Sequence, residues 1–274
     1  MDRSLHLEIN AEGKTKIIWH PPQSNLVLIE SKDSITAGDG EKRDVIEGKA
    51  ILATTTTCNC LRLLNRNRIP THFIEQIDER TFLAKQVSMI PIESVARRIA
   101  TGSYLKRNPD VAEGTVFRDP VTEFFYKDDQ LHDPLMVFDQ TEENWKLYDA
   151  KIPHPSSHII KMSIETTGGM VGKGQANCIT VLTVRVFGIL EQAWAKLGVT
   201  LVDLKVEFGF EDSGLLLLAD VIDNDSWRIW PEGDKSQMRD KQVYRDTQDR
   251  TPEMLAKIKE NYAWVAEATS KFLD

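Results

Sequence analysis

TLVDLKVEFG (200–209), with ADVIDNDSWRIWP (219–231) shortly after it, decides how this chain is read. In the first stretch Val202, Leu204, Val206 and Phe208 alternate with Asp203, Lys205 and Glu207. Period-two alternation marks a strand with one face in the core, and it puts the three charges on the other face. Glu211 to Gly214 then reads as a turn and LLLLADVID (215–223) as a second strand. With Ser213-Gly214 as a two-residue turn, Glu207 is expected opposite Asp220, and Lys205 opposite Ile222. Carboxylates so placed lie about 5 Å apart and repel unless a cation sits between them. A hard divalent ion such as Mg2+, completed by phosphate oxygens, suits the pair. A second reading stays open: Asp220 ends its strand in solvent and Glu207 meets a surface lysine. A register slip of one residue would send the two acids to opposite faces. The following loop sets Arg228 between Trp227 and Trp230, as a rigid site loop or as plain packing.

Outward from this hairpin, the start of the chain reads as strand-rich. Lys16 to Trp19 and Leu26 to Ser31 are expected as strands joined through Pro21-Pro22. Gly48 to Asn65 is expected as a helix despite the weak helix formers Thr54 to Thr57. Phe82 to Met89 is expected as a strand ended by Pro91. The helical pattern resumes at Thr180 to Leu197, with Thr183, Val186, Phe187, Leu190, Trp194 and Leu197 on one face and Gly198 as the stop. In the last helix Thr251 caps, Pro252 takes the first position, and Leu255, Ile258, Tyr262, Val265 and Phe272 form a core stripe. Residues 139–178, rich in proline and glycine, carry no clear pattern.

Composition narrows the function. The 274 residues suffice for a sizeable core without staples. Thirty-four Lys+Arg against 42 Asp+Glu leave a net charge of −8, which argues against non-specific nucleic-acid or anionic-membrane binding. The densest apolar run, Leu215 to Ala219, is far short of the ~20 residues of a membrane span. The N-terminus has no apolar stretch of the secretory kind. Cys58, Cys60 and Cys178 are an odd number and read as reduced cytosolic thiols rather than a metal site. Against the acidic background, Arg97, Arg98, Lys106 and Arg107 form a local basic run with no acid between Glu93 and Asp110. Glu12-Gly13-Lys14-Thr15-Lys16 offers a glycine for close phosphate approach and two lysines to neutralise it, although it is no Walker A motif.

Taken together, EGKTK (12–16), SKDSITAGDG (31–40), MIPIESVARRIATGSYLKRNP (89–109), FFYKDDQLHDP (124–134), TLVDLKVEFG (200–209), ADVIDNDSWRIWP (219–231) and DKQVYRD (240–246) resemble the SAICAR synthetase family, most closely the form fused in animals to a carboxylase. The resemblance covers the chain except roughly 139–180. It implies an α+β fold of two lobes, a β-rich ATP-binding lobe over 1–90 and an α/β lobe over 91–274, with ATP in the cleft. It implies an ATP- and Mg2+-dependent ligase that joins the carboxyl group of carboxyaminoimidazole ribonucleotide to L-aspartate. On the matched motifs, Lys14 and Lys16 would hold ATP phosphates, Met89 would meet adenine at a hinge, and Lys127 would help bind the nucleotide. Glu207 and Asp220 would hold Mg2+. Arg97, Ser103 and Arg228 would grip the ribonucleotide, and Asp39, Asp133 and Asp203 would complete the substrate pockets. Lys205 would neutralise the carboxylate under activation. Asp33 and Asp39 are the two candidates for the base that deprotonates the aspartate ammonium.

The resemblance implies a cytoplasmic protein and leaves a homo-oligomer open. Two departures stand out: the long glycine-rich segment 139–178, and a chain that ends without the carboxylase domain of the animal fusion. The competing reading is a catalytically impaired paralogue that binds nucleotides or partners. A protein-kinase reading fails, since no HRD or DFG element occurs.

Overall fold

The computed structural model describes residues 8–21, 24–38, 40–141, 143–153, 159–162, 171–248 and 250–274. Strands β1 (Glu8–Glu12), β2 (Lys16–His20) and β3 (Leu26–Ser31) open the chain, followed by the small hairpin β4 (Ser34–Ala37) and β5 (Lys42–Val45). Helix α1 (Lys49–Arg66) leads to β6 (Phe73–Gln76), β7 (Thr81–Lys85) and the long β8 (Ser88–Ile99). Next come α2 (Ser103–Arg107), β9 (Val116–Tyr126), β10 (Leu135–Asp139), β11 (Asn144–Tyr148), β12 (Ile159–Met162) and α3 (Lys173–Lys196). The chain closes with β13 (Val199–Phe210), β14 (Leu216–Ala219), β15 (Trp227–Pro231), α4 (Gln242–Asp246) and α5 (Pro252–Ser270).

These elements make an α+β fold. One sheet runs β1-β2-β3-β7-β6, and a larger one runs β12-β11-β10-β9-β8-β13-β14, with β15 also paired to β13. Helix α1 packs on the first sheet and against α5, and α3 packs on β8, β9 and β13. One buried cluster spans both sheets, taking in Val27 and Phe82, Leu61 and Leu64 of α1, Phe187 and Trp194 of α3, and Leu204 and Phe208 of β13. The seam between the sheets is tied by ion pairs, Lys14–Asp129, Lys16–Asp220 and Lys85–Glu211.

Several expected elements form, with informative shifts. The threonines of α1 work as ties rather than helix formers. Thr54 hydrogen-bonds Ser31 and the Arg80 carbonyl, and Thr57 donates to the Ile222 carbonyl. Pro91 does not end a strand but lies inside β8. The β8–β13 register shifts between Glu207 and Gly209, and Pro91 uses only its carbonyl there, accepting from the Lys127 N–H at 3.0 Å. A proline is tolerated where no ladder N–H is required. Helix α3 begins seven residues before the apolar pattern, because 173–179 carries Gly174, Gln175 and Asn177 and so shows no stripe until Ile179. By length and composition α3 is also apolar enough to cross a membrane, contrary to the sequence expectation. Its Val186, Phe187, Leu190 and Trp194 are instead buried on the sheet, as in a core helix. At β13, a bulge between Leu201 and Asp203 sends Leu201 into the main core and Val202 into a side cluster with Ile99 and Trp230.

The hairpin itself corrects the expected register. The turn has three residues, Asp212-Ser213-Gly214, with Gly214 at φ 84 and the Glu211 N–H donating to Leu215. Glu207 therefore faces Ala219, one step short of Asp220. A bulge-type turn adds the extra residue that a two-residue turn lacks.

Candidate active site

Strand β13 organises the site because its far edge is shared. Its second half pairs with β14 and its first half with β15, while the loop 220–226 leaves the sheet between them. That loop returns at Lys205, whose N–H donates to the Ser226 carbonyl at 2.6 Å. The other edge of β13 pairs with β8, setting Asp203 against Arg97, Lys205 against Val95 and Glu207 against Glu93. The charged face of β13 thus runs from an arginine-rich end to a lysine-rich end.

At the arginine end, Arg97, Ser103, Asp133, Asp203, Lys205 and Arg228 line one cavity of about 260 Å³. Asp203 accepts from Arg97 at 2.7 Å and from Arg228 at 2.5 Å, while Glu123 accepts from Arg97 at 2.7 Å and from Arg107 at 2.6 Å. This buried ladder holds three guanidiniums on two carboxylates, so it carries one excess positive charge. Gly102, at φ 60, leaves room for it. A Cβ there would lie 2.8 Å from an outer nitrogen of Arg228. The basic run read from sequence divides here: Arg97 and Arg107 are buried in the ladder, Arg98 clamps Glu191 of α3, and Lys106 is exposed.

At the lysine end the acids are met by ammonium groups. Glu207 accepts from Lys127 at 2.7 Å and has Lys205 at 3.6 Å, and Lys16 pairs with Asp220. The register alone would have turned Asp220 away from Glu207. Its left-handed backbone, φ 62, takes it out of the strand, and Lys16 interacts with both carboxylates. Burial alone would raise the Glu207 carboxyl, but Lys205, Lys127 and Lys16 hold it below the usual range. Burial pushes the Lys16 ammonium down to about 8 against the pull of Glu207. For Lys205 the order reverses: burial would lower it, but Glu93, Glu207 and Asp225 keep it above its ordinary value and charged. Lys14 reaches Asp129, and Met89 is partly exposed near the start of β8, opposite Gly209.

Asp39 lies outside the described residues. Asp33 anchors α1, accepting from the Ala50 N–H at 2.9 Å and from Arg80 at 3.0 Å. Burial opposes it, yet these bonds and that of Gly48 keep its carboxyl low, which makes it a poor base. Sequence reasoning missed Glu93, which bonds Lys205 at 2.8 Å, and Asp225, held at 2.6 Å by both Lys241 and Arg245. The alternation of Glu93, Val95 and Arg97 in β8 was the available signal. Trp227 lines the cavity and packs edge-on against Trp194, so its two readings merge.

Asp240, beneath Arg228, makes the site sensitive to pH in stability. Burial raises its carboxyl to about 6, against the bonds from the Gln242 and Ile229 N–H groups. The folded state then keeps a proton that the unfolded chain, near 3.8, releases. Stability from this group is full below about pH 4 and is lost as the pH rises through about 6, at roughly 3 kcal/mol in all. Urea unfolding across this range should show wild type losing stability relative to Asp240→Asn as pH rises. A constant difference would refute the assignment.

An α+β scaffold that gathers lysines, arginines and acids along one strand in this way is an enzyme that handles anions. The particular family follows from comparison with known proteins. Residues 9–261 match the SAICAR synthetase family. The phosphoribosylaminoimidazole-succinocarboxamide synthase of Herpetosiphon aurantiacus is 43% identical, the match covering 96% of this chain and 97% of that one. The bifunctional purine synthesis protein purC/E of Dictyostelium discoideum is 44% identical over 96% of this chain, which spans 27% of that longer protein. Among solved structures, the Ehrlichia chaffeensis phosphoribosylaminoimidazole-succinocarboxamide synthase superposes with a TM-score of 0.77 at 30% identity, covering 96% of this chain and 98% of that one. A type-2 SAICAR synthetase in complex with ADP gives 0.74 at 28% identity, covering 94% and 98%. The chain belongs to the SAICAR synthetase family, ligases of purine biosynthesis.

Proposed function

We propose that this chain condenses the carboxyl group of carboxyaminoimidazole ribonucleotide with L-aspartate, turning ATP into ADP and phosphate, in the cytoplasm. The observation that carries the reading is the charged face of β13, where Lys205 joins the arginine ladder to the lysine–carboxylate cluster. A carboxylate is a poor electrophile. Transfer of the γ-phosphoryl group to it gives an acyl phosphate, and attack by the aspartate amine expels phosphate and leaves an amide. Such transfer depends on positioning and charge neutralisation more than on a nucleophilic side chain.

In this scheme residues 1–90 are the nucleotide lobe and 91–274 carry the substrate sites. Lys14, Lys16 and Lys127 hold the phosphates, and Met89 meets the base. The ADP complex of a structural relative supports a nucleotide here. Arg97, Ser103 and Arg228 hold the ribonucleotide anions, with Asp133 and Asp203 completing the pocket. Lys205 stabilises the charge on the carboxylate as it is phosphorylated. Among the described residues no three His, Cys, Asp or Glu side chains gather into a metal cage. Glu207 and Asp220 are hard oxygen donors, and two carboxylates plus phosphate oxygens are the usual donor set for Mg2+. They would hold that ion, which neutralises phosphate charge when bound. Asp39 remains the proposed base for the aspartate ammonium.

ADP release should require ATP, Mg2+, L-aspartate and the carboxylated ribonucleotide together, with one amide formed per ADP. ADP release that ignores aspartate would remove the ligase reading.

A further inference from the structure

His72 is a buried imidazole, 2% exposed, that none of the steps above uses. It lies between β6 and the end of α1, yet its ring reaches the far hairpin. Its Nε2 is 3.2 Å from the Asp220 carbonyl oxygen. A carbonyl only accepts, so Nε2 carries the hydrogen. The His72 backbone fixes where the ring stands: its N–H donates to Leu218 at 2.9 Å, and its carbonyl accepts from Lys85 of β7 at 2.8 Å. The Leu218 N–H in turn donates to Pro70. The ring edge rests on Phe82, at 5.8 Å between centroids and 72° between planes.

Asp220, the receiver of this bond, has a left-handed backbone. It is a non-glycine residue at φ 62, in a region that L-residues seldom occupy and that contacts such as this bond help to hold. That conformation also decides the site. With Glu207 paired to Ala219, a continued strand would carry the Asp220 side chain to the opposite face. The left-handed step instead leaves its carboxylate on Lys16.

We propose that His72 is a positioning residue for Asp220, whose Nε2–H holds the left-handed backbone that aims the Asp220 carboxylate at the phosphate end of the cleft. The inference rests on the reading of Asp220 as part of the nucleotide–metal site, so its test includes Asp220 itself.

The test uses four variants of the full chain, each checked for wild-type circular dichroism. Asp220→Asn probes the site reading. His72→Phe keeps a ring on Phe82 and removes the donor. His72→Asn places an amide where Nδ1 stands, and His72→Gln places one at the position of Nε2. Calorimetry measures ADP binding with Mg2+ and with a chelator, and kinetics separates KM for ATP from KM for the ribonucleotide. His72→Phe and His72→Asn should each weaken ADP binding with Mg2+ about tenfold, as expected for one lost buried hydrogen bond. Both should leave metal-free ADP binding and the ribonucleotide KM unchanged, and His72→Gln should stay within about twofold of wild type. Equal behaviour of the Gln and Asn variants, whether intact or impaired, would overturn the positioning role. That contrast needs no folded Phe variant. If Asp220→Asn also binds ADP with Mg2+ normally, the site reading itself falls. If only Asp220→Asn is impaired, the His72 inference alone falls.

Discussion

Replacing Lys205 by methionine is expected to lower kcat by about a thousandfold, the effect of removing one preorganised charge donor from a developing anion. The fold should survive, because methionine keeps the stem of a side chain that is 31% exposed. The cost falls on chemistry for an electrostatic reason. Lys205 stands between Glu93 at 2.8 Å and Glu207 at 3.6 Å, and its charge is held above the ordinary lysine range. Without it, Glu93 and Glu207 face each other across β8 and β13 at the proposed place of the substrate carboxylate, with Lys127 and Lys16 left on the Glu207 side only. KM for ATP should change far less than kcat, since the proposed phosphate-holding lysines Lys14, Lys16 and Lys127 remain. Steady-state kinetics at saturating ATP checks this. A loss below tenfold would remove Lys205 from the reaction.

The second large effect is on stability. Asp203→Asn should destabilise the protein by about 3–5 kcal/mol, the usual result of removing one partner from a buried ion pair. Among the described residues Asp203 is the only carboxylate shared by Arg97 and Arg228, and the side chains of all three are at most 18% exposed. The variant leaves Arg97 and Arg107 sharing Glu123 and takes from Arg228 the carboxylate it pairs with directly. Urea denaturation should show a lower midpoint with an unchanged slope. High concentrations of an anion that fills the cavity, inorganic phosphate or sulfate, should recover part of the loss, because the vacated charge then has a partner. A change below 1 kcal/mol would mean that water already screens the ladder.

Much of this site was legible because local rules carry it. The alternation of Asp203, Lys205 and Glu207 is a backbone property of any extended strand, so their common face needed no tertiary information. Thr251 and Pro252 mark the start of α5 through the same kind of local chemistry, and the Thr251 hydroxyl does accept from the Met254 N–H. Where reading failed, a non-local partner had decided. Pro91 lies within a strand because a register shift between β8 and β13, with the extra residues on β8, leaves its missing N–H unneeded. Three of the four threonines of α1, Thr54, Thr56 and Thr57, are buried, and Thr54 and Thr57 tie the helix to Arg80 and Ile222, which outweighs their propensity. The spacing of Glu93 and Arg97 puts them on one face of β8, but that Glu93 meets Lys205 and Glu207 follows only from the pairing across the sheet.

By itself, the sequence determined the class of the fold, the charged face of β13, the family, and the types of side chain that meet anions. Local periodicity and long motifs suffice for these. Only the tertiary structure decided that the hairpin turn takes three residues, that Asp220 leaves its strand in a left-handed step, and that Lys16 of β2 and His72, just before β6, receive it. Pairing register and backbone handedness depend on contacts between segments distant in the chain, and no stretch of residues carries its partner's position within itself.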